Sequence, residues 1–287
     1  MHPSLVVLTN LTDPAERAAR YAAVLGSPLH AHLTLLHLYH DALLDPEFVT
    51  VTTVQTYRSQ AETKAALQAL ARRLPTAADV VVSVETTVEA VNEAVRRTQP
   101  LLLAMGLSTE HDALDHVLHN QALPVLRGTH RPLLLVPELA PAAQLPRRVL
   151  LALDAESFVP NAATRDLAPL LAAWPASYTV SHVLGLHEQE AFPGQRVLHH
   201  LHLSRLLPPT TPVELYEAQH VSAVSGVLQA IDDTQADLLV LLARPRSFLG
   251  RLFHRSITAQ VLRRCRVPVL LLPTEASDQP AWLPGMT

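Results

Sequence analysis

Residues 131–137 read Arg-Pro-Leu-Leu-Leu-Val-Pro, and residues 267–273 read Val-Pro-Val-Leu-Leu-Leu-Pro. Each is a short, wholly apolar run closed by proline, the pattern of a strand buried on both faces. A second pair of runs opens each half: Ser-Leu-Val-Val-Leu-Thr-Asn at 4–10 and Arg-Val-Leu-Leu-Ala-Leu-Asp at 148–154. Pro132 and Pro137 reappear as Pro268 and Pro273, an offset of 136, and Asn10 corresponds to Asp154, an offset of 144. Self-similarity at half the chain length means two copies of one domain. Any site then exists twice, once or not at all, and the differences between the copies carry the functional information.

Between these markers, apolar runs alternate with helical patterns. In the first half the reading places strands at 5–8, 32–39, 80–84, 101–105 and 133–136. Helices are expected from Asp13-Pro14 to a stop at Gly26, then at 57–74, 87–98 and 112–126, with 41–56 irregular. The second half repeats this, with strands near 148–153, 178–183, 212–216, 237–242 and 268–272. Its helices are expected near 160–173, 195–206, 219–233 and 256–265. Alternation of this kind specifies an α/β fold with a parallel sheet covered on both sides and right-handed crossovers. The expected division is 1–139, a proline-bearing linker at 140–147, 148–274, and a polar tail at 275–287 with Trp282 as its candidate anchor.

Composition removes several function classes. At 287 residues with 48% hydrophobic content, each half has enough apolar mass for its own core. A formal charge of -4 gives no electrostatic basis for binding nucleic acid or an anionic membrane. Lys64 is the sole lysine, so the phosphate-binding lysine of a Walker loop is missing elsewhere in the chain. Cys265 is the sole cysteine, which excludes a disulfide framework. The chain shows no secretory leader pattern and no apolar run of membrane-spanning length, so a cytoplasmic protein is expected.

Ligands of doubly wound sheets sit beyond the carboxyl ends of the strands, at the point where strand order reverses. The residues there are Thr9-Asn10 and Leu153-Asp154 after the first strands, and His37-Leu38 and His182-Val183 at the second. After the fourth strands come Met105-Gly106-Leu107-Ser108-Thr109 and Leu241-Leu242-Ala243-Arg244-Pro245. With the closing Pro-bounded strands, these markers make both halves resemble universal stress protein domains. The resemblance spans 4–137 and 148–273. It implies two tandem Rossmann-like (adenine nucleotide alpha hydrolase-like) domains, each a five-stranded parallel sheet with helices on both faces. It also implies a role in stress survival and pairing of the two final strands across a pseudo-twofold axis. One chain would then equal the family's usual homodimer, with a further homodimer left open.

The resemblance further implies a nucleotide site: a first-strand Asp, backbone after strand two, and a Gly-x-x-Gly-x9-Gly-Ser/Thr loop that cradles phosphates. In the first half those positions are Asn10, Leu38, Gly106, Thr109, His119 and Asn120. In the second they are Asp154, Val183, Leu242, Pro245, Arg255 and Ser256. Glycines in such loops let backbone N–H groups approach an anion. Pro245 has no N–H, and Leu242 and Arg255 bring side chains into the path. Losing two charge-assisted contacts costs about 3–6 kcal/mol, enough to move a micromolar site towards millimolar. Against that, Arg244, Arg246, Arg251, His254 and Arg255 crowd the same loop. They either hold an anion by side chain, or form a solvated basic loop or one paired with acidic residues across a domain interface. Asp154 is equally a turn or N-cap residue.

The remaining constellations read as structural. His111, Asp115, His116 and His119, and His199, His200 and His202, lack a completed metal-ligand pattern. His37 and His182 hold equivalent positions, which suggests a shared hydrogen bond to a neighbouring strand. Ser256 reads as an N-cap, with a nucleophile the lesser alternative, and Cys265 as a core thiol, with a reactive thiolate between Arg264 and Arg266 the alternative. The sequence therefore points to non-catalytic binding of an unidentified protein partner or small ligand, without a resident cofactor. The alternative is a sensor of ATP or another adenine nucleotide, and a weak nucleotide hydrolase stands third.

Overall fold

The ten strands of the described residues form a single continuous sheet, apolar at its centre and more polar at its edges. The computed structural model describes residues 3–39, 59–108, 118–185, 193–220, 222–245 and 257–275. The first half runs β1 (Ser4–Leu8), α1 (Asp13–Gly26), β2 (His32–Leu38), α2 (Gln60–Arg73) and β3 (Ala78–Ser83). It continues with α3 (Thr87–Thr98), β4 (Leu102–Leu107), α4 (Leu123–Thr129) and β5 (Leu133–Pro137). The second half runs β6 (Arg148–Ala152), α5 (Ala162–Ala173), β7 (Ser177–Gly185), α6 (Pro193–Ser204) and β8 (Val213–His220). It closes with α7 (Ala223–Thr234), β9 (Leu238–Ala243), α8 (Ile257–Leu262) and β10 (Val269–Pro273).

The strand order is β3-β2-β1-β4-β5-β10-β9-β6-β7-β8. Each half thus has the order 3-2-1-4-5, with its reversal between β1 and β4 or between β6 and β9. Every pairing is parallel except the one at the centre, where β5 and β10 run antiparallel with Leu133, Leu134 and Leu135 opposite Leu271, Leu270 and Val269. Alternation along these two strands feeds both cores. Leu134, Val136, Leu270 and Leu272 join the cluster under α1, α2, α5 and α6. Leu133, Leu135, Val269 and Leu271 join the cluster under α3, α4, α7 and α8. Each core is continuous across the two halves.

Helix starts follow ordinary capping chemistry. Ser59 with Glu62 and Thr86 with Glu89 form capping boxes, and Asn161 caps α5 through Thr164 N–H. The expected stop at Gly26 is refined: the helix passes into a short 3-10 turn at Ser27–Leu29, and the left-handed residue is His30, with φ of 50°. Gly26 is small because Leu5 lies beneath it; a Cβ there would stand 2.7 Å from Leu5 Cδ1. The expected helix at 112–126 is a π turn at 118–122 followed by α4, and 112–117 fall outside the described residues. The helix expected to 265 ends at Leu262.

The segment between β5 and β6 contains neither helix nor strand, yet it is fastened. Arg17 Nη1 donates to the Ala140 carbonyl at 2.8 Å and Tyr21 Oη to the Pro141 carbonyl at 2.9 Å. Burial pushes the Tyr21 hydroxyl up to about 12, so it stays a donor at any ordinary pH. Trp174, after α5, donates its buried indole N–H to the Leu25 carbonyl of α1 at 3.0 Å and stitches the halves together on one face. The tail beyond 275, Trp282 included, lies outside the described residues.

Candidate functional site

The turn after β1 is a neutral, self-contained unit. Thr9 Oγ1 accepts from Leu11 N–H at 3.2 Å, and Asn10 Oδ1 accepts from Thr12 N–H at 3.2 Å and Thr12 Oγ1–H at 2.6 Å. Leu11 is held at a φ of 60° by this turn. Ser108, just past β4, faces Glu138, whose carboxylate accepts from its hydroxyl at 3.5 Å.

The equivalent turn of the second half is charged and longer. Residues 9–12 link β1 to α1, whereas 153–161 link β6 to α5. Asp154 Oδ1 accepts from Glu156 N–H at 3.2 Å, which settles it as a turn residue, since Asn161 is the cap of α5. Arg244, at the position of Ser108, reaches back over the loop. Its Nη2 meets Asp154 Oδ1, and its Nε donates to Asp154 Oδ2 at 3.2 Å. The same guanidinium donates to the Glu156 and Ser157 carbonyls, each at 3.0 Å, and Glu156 Oε2 lies 3.7 Å from its Nη1. The Arg244 side chain is 11% exposed, against 55% for Asp154. The rest of the loop is strapped to the end of β10. Pro160 bridges Thr274, Glu275 N–H donates to the Val159 carbonyl at 2.8 Å, and Asn161 Nδ2 donates to the His130 carbonyl at 2.8 Å. Arg244 thus pairs with carboxylates of its own half, not with one across the domain interface as expected.

The other positions divide by what the fold asks of them. Gly106 and Leu242 are strand residues, paired with Val136 and Leu272. The φ of Gly106 is not positive; its missing side chain admits the backbone of Pro14 and Ala15 at the start of α1. Leu38 and Val183 pack against one core cluster, and Val183 leans on Gly226 of α7, where a Cβ would clash with both its methyls. Asn120 and His119 lie in the π turn; Arg255, Ser256 and Thr109 are outside the described residues, as are Arg246, Arg251 and His254. The positions that the structure brings together are Asp154 and Arg244, residues 90 apart in the chain.

Both halves therefore carry one architecture, with its switch point neutral in one copy and ion-paired in the other. The universal stress protein family matches residues 1–137 and again 146–273. The chain belongs to this family. Among solved structures, this universal stress protein is similar to one from Archaeoglobus fulgidus, at 15% identity and a TM-score of 0.60, covering 96% of this chain and 97% of the other. A functionally unknown protein from Pseudomonas aeruginosa PAO1 aligns at 13% identity and a TM-score of 0.55, over 94% of this chain and 92% of the other. A putative universal stress protein from Pseudomonas aeruginosa UCBPP-PA14 aligns at 12% identity and 0.52, over 94% and 93%. At these identities the likeness is one of fold. No curated protein matches the chain.

Both halves of this universal stress protein use their second-strand histidine alike. His37 Nδ1 lies 2.8 Å from the Thr9 carbonyl and His182 Nδ1 3.2 Å from the Leu153 carbonyl. A carbonyl only accepts, so Nδ1 carries the proton and each ring pins the turn after the first strand. His200 on α6 is held below the usual histidine range by burial, then by the positive charges of Arg196, His199 and Arg244, against Asp154. Among the described residues no group of histidine, cysteine and carboxylate side chains is arranged for a metal ion, and no helix is long and apolar enough to cross a membrane.

Cys265 departs from the thiolate alternative. It is buried, and burial pushes its thiol up to about 11 despite the flanking arginines. At pH 8 roughly a thousandth of it is ionised. Native protein treated with iodoacetamide at pH 8 is expected to stay unmodified for hours and to react fully in guanidinium, as read by intact mass. Prompt native alkylation would restore the redox reading.

Proposed function

We propose that this universal stress protein works by binding without turnover, in the stress-response role of its family, with the second-half switch point closed by its own arginine. The Arg244–Asp154 pair carries this reading. The carboxylate that the family resemblance directs towards a nucleoside is already engaged by a largely buried, always-charged fork. A nucleotide entering there would have to break that pair and displace the strap over residues 157–161. Ligand or partner recognition then falls to the first half, where Asn10 and Ser108 stand in place of the charged pair.

Nucleotide binding tests it. Purified protein is expected to carry no nucleotide and to show no rise in Tm with ATP up to about 1 mM, since a ligand that prefers the native state must raise stability. Copurified ATP, or a rise of several degrees at sub-millimolar ATP, would reject this reading. The second reading, an adenine-nucleotide sensor, is favoured by the uncovered turn at Asn10. It expects an ATP-dependent rise that persists in Asp154→Ala.

The pair itself has a measurable strength. Asp154 is half exposed, so solvent screens the interaction, and a double-mutant cycle with Asp154→Ala and Arg244→Ala is expected to give a coupling of about 1 kcal/mol. Arg244→Ala alone should cost more, near 2 kcal/mol, because the Glu156 and Ser157 carbonyls also lose their donor. Additive effects in urea unfolding would show that the latch is a contact of convenience.

A further inference from the structure

Antiparallel pairing at the centre sets the carboxyl end of each half's last strands against the loop that enters the other half's last strand. Two corresponding seams result, related by the offset of 136. One comprises Ala243, Arg244 and Pro273–Glu275 with residues 126–130, the positions that match the lining of the other. The other is formed by Leu107, Ser108 and Pro137–Leu139 against residues 262–266.

The chain fills the first itself. Val159, Pro160 and Asn161 lie along Pro273–Glu275, with Asn161 N–H on the Pro273 carbonyl at 3.3 Å and Asn161 Nδ2 on the His130 carbonyl. The first half cannot do the same, because its 9–12 turn is five residues shorter than 153–161. Its seam is an open cavity of about 420 Å³. That volume falls in the range of small-molecule sites.

The lining defines the occupant. Leu107, Pro137, Leu139 and Leu262 are the apolar lining and Arg263, Arg264, Arg266 and Glu138 the charged lining; Arg264 and Arg266 also border Asp232 in a neighbouring cavity. Among the described residues Arg264 and Arg266 enter no ion pair, and both are exposed. We infer that the first-half seam cavity binds a small amphipathic organic anion, a carboxylate or phosphate head on a short apolar body. Arg264 and Arg266 hold the head, and Leu139, the exposed apolar residue of the lining, meets the body. The cavity borders the first-half switch point through Ser108, but Arg264 and Arg266, which hold the head, belong to neither switch point.

Isothermal titration of the full chain with octanoate and with octyl phosphate, using octanamide as the uncharged control, tests it. One saturable site is expected for at least one anion, which tells the two head groups apart, with octanamide weaker by at least about tenfold. The double substitution R264Q/R266Q, at exposed positions, should weaken anion binding by at least about tenfold. R127Q, the counterpart of Arg263 beside the filled pocket, should leave it unchanged. Absence of saturable binding up to about 10 mM overturns the site. So does octanamide binding as well as octanoate, or full affinity in the double variant.

Discussion

Gly106→Ala is expected to lower Tm by roughly 6–12 °C, a loss of about 3 kcal/mol or more. The added methyl would land inside van der Waals contact of the Pro14 carbonyl group and close on Ala15 N, and both are backbone atoms. A clash with a flexible side chain relaxes cheaply; one with the first turn of a buried helix does not. Relief requires α1 to lift from β4, and with it Ala15, Ala18 and Ala22, all buried. Because the φ of Gly106 is not positive, alanine's own backbone preference adds no strain, so the penalty measures packing alone. The matching control is Gly128→Ala, where the nearest atom is Val88 Cγ1 at 3.2 Å, a side chain that needs to give only slightly. Urea unfolding of the two variants decides the matter: equal, small effects would show that Gly106 has some other reason to be glycine.

Trp174→Ala is expected to cost about 3–5 kcal/mol, and Trp174→Phe about 1–2 kcal/mol. The indole is 4% exposed and lies in the core shared by both halves. Its N–H also satisfies the Leu25 carbonyl, one of the acceptors left over at the end of α1. Alanine removes the bulk and the donor, whereas phenylalanine removes chiefly the donor. A ratio near two or more between the two losses supports this division. Equal losses would mean that the hydrogen bond alone carries the contact. Both variants lack Trp174, so their unfolding in urea is followed by far-UV circular dichroism.

Much of the fold was legible because its central strands are apolar at nearly every position. Leu102–Leu107 and Leu238–Ala243 leave no polar face, so no arrangement except a doubly covered sheet accommodates them. The paired second-strand histidines were legible for a similar reason, since one local rule places both. The glycines were not. Gly106 sits where the family resemblance puts a phosphate-loop glycine, but what demands its small size is the start of α1, some 90 residues earlier in the chain. Gly26 reads as a helix stop, while Leu5 beneath it supplies the reason and His30 makes the turn. The latch was hidden by the same cause. Arg244 belongs to a cluster of arginines in sequence, and only the order β9-β6 brings it to Asp154. Proximity across neighbouring parallel strands has no period that a one-dimensional pattern can display.

The covalent join between the copies has an evolutionary corollary. In an assembly of two identical subunits, a lengthened turn or a new arginine is installed on both sides of the axis at once, so closing one position closes its mate. A single chain carrying both copies lifts that constraint: the longer 153–161 turn and Arg244 stand on one side alone, and the other side is free to differ.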